Sequence, residues 1–279
     1  MHDPLPVAAA SPLVGVLTGS PLAARVVQAG RLAAYLVTEG PEPRVVVLAD
    51  PGAVLPSCAV VLPRGVDVAA LAPAGAAALL GGGGLTVGTH RLAVRRWWRP
   101  LPLPRGVPDR GAVATARAVL AGAGGPGAGP RARAWAAAGA AAAALGACDP
   151  AGAATALVGV LGLGPGSTPA GDDVAAGVLL SARSAGLATV DDVAAAVLTE
   201  RDRTTPVSAG LLAEAAAGRA SREVLDVVRA VTGDGDVVRA VRRLLEIGHT
   251  SGADLAAGLL AVAHAVTHLP APSHLRRSA

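Results

Sequence analysis

The sequence predicts an α+β fold in which a β-rich N-terminal domain is followed by a mainly α-helical C-terminal domain. From residue 13 to about residue 99, short runs rich in β-branched residues alternate with glycine and proline, as strands and turns do. Residues 100–108 then contain four prolines, which suit an extended connector. Beyond them, apolar residues recur with the helical period. We therefore expect two domains, at residues 1–108 and 109–279.

The first domain is predicted to contain several strands and one short helix. The strand-like runs are "LVGVLTG" (13–19), "RLAAYLVTEG" (31–40), "RVVVLAD" (44–50), "AVLPSCAVVLP" (53–63) and "GLTVGTHRLAVRRWW" (84–98). The helix lies in "DVAALAPAGAAALL" (67–80). Gly81–Gly84 is expected to form a turn rather than a phosphate loop, because a strand-like run follows it. Two alternatives stay open for Arg91, Arg95, Arg96 and Arg99, which line either a strand edge or a partner interface.

The second domain is predicted to be helical throughout, with a glycine- and proline-rich loop at Gly122–Pro130. The predicted helices are 112–121, 131–145, 151–161, 173–185, 191–201, 207–217, 222–231, 236–247 and 253–268.

The composition limits which classes of function are open to the chain. Apolar residues make up 52% of it, and its 24 basic residues are all arginine. Without lysine, the chain cannot form a lysine Schiff base or a Walker-type phosphate site. A net charge of +4 is mild, and no apolar run reaches the roughly 20 residues of a membrane helix. Residues 1–10 lack the features of a signal peptide. We expect a cytoplasmic protein that binds neither nucleic acid nor membrane.

A repeated motif marks the helical half. Residues 171–179 (GDDVAAGVL) align with residues 252–260 (GADLAAGLL), and hydroxyl residues precede both copies. Each copy is expected to be a loop that opens a helix, with Thr168 and Ser251 as N-caps. The motif glycines would allow the two helices to cross closely and would bring both loops into one site.

Such a site would suit a small anion, since helix N-termini and glycine-rich loops attract negative charge. The adjacent Asp172 and Asp173 repel each other unless a cation or a donor offsets them, so Mg²⁺ shared with a phosphate is a candidate cofactor; no other cofactor is expected. The alternative is that this Ala/Gly-rich chain repeats the motif by chance, with structural aspartates. His249 either acts as an acid or base or holds an oxyanion, or it satisfies backbone groups.

Other polar residues carry weaker signals. His264 and His268 are spaced to chelate a metal on one helical face, although a charge role at the helix end is favoured because no third ligand is visible. Arg201 and Arg203 either clamp an anion or belong to a solvated face beside Glu200.

The segments "GLGPGSTPAGDDVAAG" (162–177) and "IGHTSGADLAAG" (247–258) resemble the two signature segments of the AllH-like family, named for a subunit of oxamate carbamoyltransferase. The segment "RTTPVSAGLLAEAAAGRAS" (203–221) resembles a third block of that family. This chain departs from the family pattern at Ser167, Ala170 and Ala253, which puts substrate contacts in doubt more than the fold.

The resemblance implies carbamoyl transfer between carbamoyl phosphate and oxamate, giving oxalurate and phosphate, in purine-nitrogen catabolism and allantoin degradation. It also implies partner subunits. The alternative is a non-catalytic subunit that binds a small anion or regulates a complex. The predicted catalytic residues are His249, Asp172 and Asp173, and the two aspartates are also the predicted metal ligands. The predicted substrate-binding residues are Gly164, Gly166, Ser167, Thr168, Gly171, Thr250, Ser251, Gly252, Asp254 and Arg203.

Overall fold

Eight strands close into a β-barrel in the computed structural model, which describes residues 3–39 and 44–269. The strands are β1 (Leu5–Ala10), β2 (Leu22–Ala29), β3 (Ala33–Thr38), β4 (Val45–Ala49), β5 (Ala59–Val61), β6 (Ala77–Gly81), β7 (Gly84–Val87) and β8 (His90–Trp98). Their order around the barrel is β1-β5-β4-β3-β2-β6-β7-β8. Parallel pairing of β1 with β8 closes the barrel.

The fold-class prediction is therefore corrected, because it did not state a barrel. Closure depends on pairing residues 5–10 with residues 92–98, and local alternation of apolar residues carries no information about so distant a partner. The order of the two parts, β-rich first and helical second, fits the structure. β8 ends at Trp98 and the next helix begins at Arg110, and the domain boundary after residue 108 remains our proposal.

Several local predictions in the barrel half are also corrected. Residues 13–19 were expected to form a strand, but helix α1 (Val14–Thr18) lies there, after a turn of 3₁₀-helix that contains Pro12. The predicted helical stretch 67–80 contains helix α2 (Val68–Leu71), and its last residues begin β6. Gly81–Gly84 forms the turn between β6 and β7, as predicted. β8 pairs on both sides, so its arginines do not line a sheet edge.

Each of the nine predicted helical segments overlaps one α-helix of the structure. The helices are α3 (Arg110–Gly122), α4 (Pro130–Gly146), α5 (Pro150–Val158), α6 (Ala170–Ser184), α7 (Val190–Thr199), α8 (Pro206–Ala216), α9 (Arg222–Val231), α10 (Val237–Leu245) and α11 (Ser251–Val266). Among the described residues, none of the helices has both the length and the apolarity that a membrane crossing requires.

Helix α6 is the centre of the helical half. Every residue from Ala170 to Ala182 is buried, and α4, α8 and α11 pack around the helix. With alanine, valine and leucine as the main core residues, the helices approach one another closely. The first turn of α6, which carries Asp172 and Asp173, is consequently held inside the helical core rather than on its surface.

Helix α8 connects the helical half to the barrel. Gly210 lies directly against Val45 of β4, where a Cβ atom would overlap the valine side chain. Ser57 donates a 2.5 Å hydrogen bond to Glu214, and Arg219 makes a two-point contact with the same carboxylate at 2.8 and 2.7 Å. The arginine of the "AAAGRAS" segment therefore holds an acidic residue that links the two parts of the molecule.

Candidate functional site

The two signature loops meet, as the repeat predicted. Helices α6 and α11 cross at Gly177 and Gly258, and the contact is reciprocal: a Cβ atom on Gly177 would overlap the carbonyl oxygen of Leu255, and one on Gly258 would overlap that of Val174. Only glycine permits backbones to approach this closely. The crossing brings together the residues that precede both helices.

The hydroxyl groups of Thr168 and Ser251 form a 3.0 Å hydrogen bond across the two loops. The prediction that each caps its own helix is wrong. Pro169 and Thr250 occupy the N-cap positions, and neither cap is made by a side chain. The hydroxyls instead connect one repeat to the other, at a half-buried position.

The two helix starts have the same backbone pattern. Asp172 N and Asp173 N donate to the carbonyl of Pro169, while Ala253 N and Asp254 N donate to that of Thr250. Gly171 N and Gly252 N likewise donate to carbonyls in the preceding loop. These amides of the first helical turn are therefore engaged within the chain and are not free to bind an anion.

Within the described part of the chain, the loop before α6 has backbone amides without hydrogen-bond partners, whereas those of the first helical turn are already bonded. Five residues separate Leu163 from Pro169, whereas two separate the corresponding Ile247 from Thr250. The amides of Gly164, Gly166, Ser167 and Thr168 make no hydrogen bond to any residue that the structure describes. Donors for an anion thus lie in the longer first loop, and the two repeats are not equivalent.

The predicted glycines divide into two groups. Gly171 and Gly252 lie against the carbonyl groups of Val160 and Leu244. Gly171 thus packs the start of α6 on the turn that follows α5, and Gly252 packs the start of α11 on the end of α10. Gly164 folds back on the amide of Ala170. Gly166 is exposed, has φ +92°, and a Cβ atom there would meet open space. Of these glycines, Gly166 is the one with open space beside it.

Asp172 holds the site together from inside. It is 1% exposed, and one oxygen accepts from Gly162 N at 2.9 Å while the other accepts from the Thr204 hydroxyl. Burial raises the pKa of Asp172, and hydrogen bonds from Thr204, Gly162 and Ser208 lower it. Because both oxygens are occupied, its position indicates a structural link rather than a catalytic group.

The third family block lies against the first loop through two threonines that the sequence reasoning did not single out as site residues. Thr204 bonds Asp172, and the Thr205 hydroxyl donates to the carbonyl of Ser167 at 2.5 Å. Thr205 also caps α8 by accepting from Ser208 N. The signal that could have found Thr205 is its place before Pro206, the first residue of a helix.

Asp254 has partners on helix α4 that the sequence reasoning also missed. It is fully buried, and its Oδ1 atom accepts from Arg131 Nε at 2.7 Å and from Trp135 Nε1 at 2.5 Å. The Arg131 guanidinium lies over the Trp135 ring, 5.1 Å from its centroid. An arginine and a tryptophan four residues apart share one helical face, which was the available signal.

Replacing Arg131 by Leu should lower the free energy of unfolding by about 2 kcal/mol, because it leaves the buried Asp254 charge with Trp135 alone. The expected loss is kept modest because Arg131 is itself 24% exposed. Urea denaturation at pH 7 measures the change. The matched control is Arg133→Leu, at an exposed position of the same helix, which should change stability by less than about 0.5 kcal/mol. Equal effects of the two variants would contradict the pairing.

Asp173 is the polar group of the site whose surroundings leave it least satisfied. It is 8% exposed, and its Oδ2 atom is buried with no hydrogen-bond partner in the described part of the chain. Burial raises the pKa of Asp173 to about 8, and the charges of Asp254 and Asp172 add to this. The hydroxyls of Ser251 and Thr168 lie close enough to lower the pKa.

The barrel contributes a further polar neighbour, Tyr35 of β3. Burial raises the pKa of Tyr35, with smaller contributions from the charges of Cys58 and Asp173. The phenol thus lies within electrostatic range of the Asp173 carboxylate. No local pattern in the sequence connects a strand of the first part with the loops of the second.

Two other predicted residues lie apart from this cluster. His249 is exposed and, among residues 3–39 and 44–269, has no hydrogen-bond partner. Arg203 is 3.7 Å from Glu200 in an exposed ion pair, and its side chain borders a shallow groove with residues of α5 and α7. Its backbone carbonyl, by contrast, lies against Gly162 in the first signature loop. These positions favour the surface interpretation of Arg203.

The described residues contain no group of three or more histidine, cysteine, aspartate or glutamate side chains placed to hold a metal. In the predicted pair Asp172 and Asp173, both oxygens of Asp172 already accept hydrogen bonds, from Gly162 N and the Thr204 hydroxyl. Mg²⁺ is usually bound by one or two carboxylates together with phosphate oxygens and water. Mg²⁺ shared with a bound phosphate therefore stays a prediction. The rings of His264 and His268 pack edge to face, with their centroids 4.6 Å apart. Arg110 forms a 3.3 Å hydrogen bond with Nδ1 of His268.

Comparison with known proteins gave one family. Residues 160–263 match the family model described as oxamate carbamoyltransferase subunit AllH. This match includes both signature loops and the third block, and it confirms the resemblance found from the sequence. Neither the curated proteins nor the solved structures gave a match.

Proposed function

We propose that this chain is a subunit of an oxamate carbamoyltransferase-like enzyme. The proposal starts from the match of residues 160–263 to the AllH family. Its role is to bind the small anions of carbamoyl transfer at the site formed by the loops 162–173 and 247–254. The observation that carries the proposal is the contact between Thr168 and Ser251, which joins two loops 83 residues apart beside a buried, unpaired carboxylate.

The chemistry of the reaction agrees with these groups. Transfer of a carbamoyl group from carbamoyl phosphate to the nitrogen of oxamate forms a carbon–nitrogen bond and breaks a carbon–oxygen bond. Phosphate leaves with the electron pair of the broken bond, and the nitrogen gives up one proton. Negative charge develops on the carbonyl and phosphate oxygens, and hydrogen-bond donors stabilise it. The amides of Gly166, Ser167 and Thr168 and the hydroxyls of Thr168 and Ser251 are donors of this kind.

Partner subunits follow from the same proposal. The matching family is named for a subunit, and a self-contained pair of nucleophile and base is not formed by the described residues around Asp173. His249 is exposed and lies apart from the groups around Asp173. A partner surface that covers His249 could bring it into the site. A partner would supply groups that complete the site.

The second candidate is a non-catalytic subunit that binds a small anion or regulates the complex. It is favoured by the engagement of Asp172 and Asp254 in structural hydrogen bonds, which leaves few groups for catalysis. In that case the chain would bind its anion without affecting the chemical step directly.

Phosphate release from carbamoyl phosphate plus oxamate tests the proposal, using the chain alone and mixed with its partner subunits. We expect release in the mixture, and a loss of at least about 100-fold in kcat when the mixture contains Asp173→Leu. The control is Asp192→Asn, an exposed aspartate in the first turn of α7, which should retain full activity.

The outcomes separate the candidates. A loss of kcat in the Asp173→Leu mixture supports a catalytic site that includes this chain. Unchanged kcat with a changed response to anion concentration supports the regulatory candidate. Absence of phosphate release from every combination contradicts the assignment to carbamoyl transfer.

A further inference from the structure

The unpartnered oxygen of Asp173 requires a hydrogen-bond donor. A buried carboxylate oxygen without a partner costs free energy, and such atoms in native proteins usually face water, an ion or a ligand. Asp172 already accepts hydrogen bonds at both oxygens. The hydroxyls of Ser251 and Thr168 lie close enough to Asp173 to lower its pKa, but neither forms a hydrogen bond with Oδ2 in the described part of the chain. This oxygen is therefore available to a donor from outside the chain.

Comparison of the two repeats narrows the chemistry of that donor. The Oδ1 atom of Asp254, the counterpart of Asp173, accepts from Arg131 and Trp135, while its Oδ2 atom, like that of Asp173, has no hydrogen-bond partner in the described part of the chain. No ion pair to Asp173 occurs within residues 3–39 and 44–269, and the charges that act on it most strongly, Asp254 and Asp172, are negative. A negatively charged ligand group placed on Asp173 would be repelled. An N–H group would not.

The donors for negative charge lie next to this acceptor rather than on it. Thr168 and Ser251 approach the carboxylate closely enough to affect its pKa, and their hydroxyls face each other at 3.0 Å. The amides of Gly166, Ser167 and Thr168 belong to the same loop. One acceptor and several donors thus lie close together, a set of groups that suits a small molecule in which a primary amide is attached directly to an anionic group.

We propose that Asp173 recognises the primary amide end of such a ligand, its Oδ2 atom accepting a hydrogen bond from the amide nitrogen. This inference rests on the proposed function and deepens it, because it assigns Asp173 as the residue that determines specificity and orientation. In this orientation the amide of the ligand lies towards α6, and its anionic group binds the hydroxyls and amides of the loops. A ligand of the same shape without N–H leaves Oδ2 unpaired and binds more weakly.

Oxamate and pyruvate provide a direct test, since they share a carbonyl and a carboxylate and differ by an amino group in place of a methyl group. Calorimetric titration of the full-length chain, alone and with its partner subunits, should show oxamate binding at least about tenfold more tightly than pyruvate. Asp173→Leu should remove this preference. Asp173→Asn, whose amide oxygen still accepts, should keep most of it, as should the surface control Asp192→Asn.

The same titrations distinguish failure of the role of Asp173 from failure of the proposed function. Equal binding of oxamate and pyruvate by the wild-type chain overturns the role of Asp173 while the anion site stands. Absence of binding of oxamate, pyruvate and carbamoyl phosphate overturns both. If Asp173→Leu does not fold, the comparison of the two ligands on the wild-type chain and on Asp173→Asn still decides. The proposal requires a preference for oxamate in both proteins, and its loss in either one contradicts the proposal.

Discussion

Replacing Gly177 by Ala is expected to lower the free energy of unfolding by more than about 3 kcal/mol, and Gly258→Ala should have a similar effect. Each new Cβ atom would overlap a backbone carbonyl of the opposite helix, that of Leu255 or Val174. Backbone atoms cannot rotate away as side chains do, so α6 and α11 would have to separate. Urea denaturation followed by circular dichroism measures the loss.

The matched control for this prediction is Gly139→Ala in α4. Gly139 is exposed within a helix, and a Cβ atom there would meet nothing within 4 Å. Alanine should leave stability unchanged or raise it by up to about 1 kcal/mol, through its higher helix propensity. If Gly177→Ala behaves like Gly139→Ala, the close helix crossing described here is wrong.

Separation of the two helices should also open the site. Thr168 precedes α6 and Ser251 begins α11, so their hydroxyl contact depends on the crossing. The glycine substitution is therefore expected to weaken anion binding even under conditions in which the protein remains folded. This links the packing of the core to the function proposed for the loops.

The helical half was predictable because its signals are local. Apolar residues recur at the helical period, and Pro130, Pro150 and Pro206 each stand at the first turn of a helix. The meeting of the two loops was also predictable, because the repeat places a glycine one turn after each aspartate. These features need no information about distant contacts.

The barrel and the partners of the aspartates were not predictable in the same way. β1 reads "LPVAAA", a run that contains one β-branched residue, and it becomes a strand because β8 pairs with it more than 80 residues later. The ion pair of Arg131 with Asp254 spans 123 residues. Neither the closing strand pair nor the charge partner follows from local periodicity.

The two copies of the internal repeat differ in the partners of their aspartates. The Oδ1 atom of Asp254 accepts from an arginine and a tryptophan, whereas Asp173 has no ion pair among the described residues; the Oδ2 atom of each aspartate is buried without a hydrogen-bond partner there. The loop from Leu163 to Pro169 is also three residues longer than the corresponding loop from Ile247 to Thr250. The first repeat therefore leaves more polar groups without partners among the described residues than the second does.

Replacing Asp173 by Asn is expected to remove most of a pH dependence of stability that the wild-type chain shows between about pH 4 and pH 8. Burial raises the pKa of Asp173 from 3.8 to about 8, so the folded chain holds a proton in this range that the unfolded chain releases. Stability from this group is greatest below pH 4 and falls until about pH 8. At roughly 1.4 kcal/mol per pKa unit, the fall amounts to several kcal/mol.

The charged groups around Asp173 explain the direction of this effect. Asp254 and Asp172 raise its pKa, the hydroxyls of Ser251 and Thr168 lower it, and Arg131 is engaged with Asp254. Asparagine keeps the shape of the protonated carboxyl group and has no charge to bury, so Asp173→Asn should be more stable than the wild type at pH 8 and nearly equal to it at pH 4.

Urea denaturation of both proteins at steps from pH 4 to pH 8.5 measures this difference, and subtraction removes the contribution of titrating groups that the two proteins share. Asp192→Asn, a variant of an exposed aspartate, should follow the wild-type curve. A constant difference between wild type and Asp173→Asn across the range would mean that Asp173 is ionised in the folded chain throughout. Its unpaired oxygen would then carry a full negative charge at neutral pH, and a positively charged ligand group would suit it better than a neutral amide.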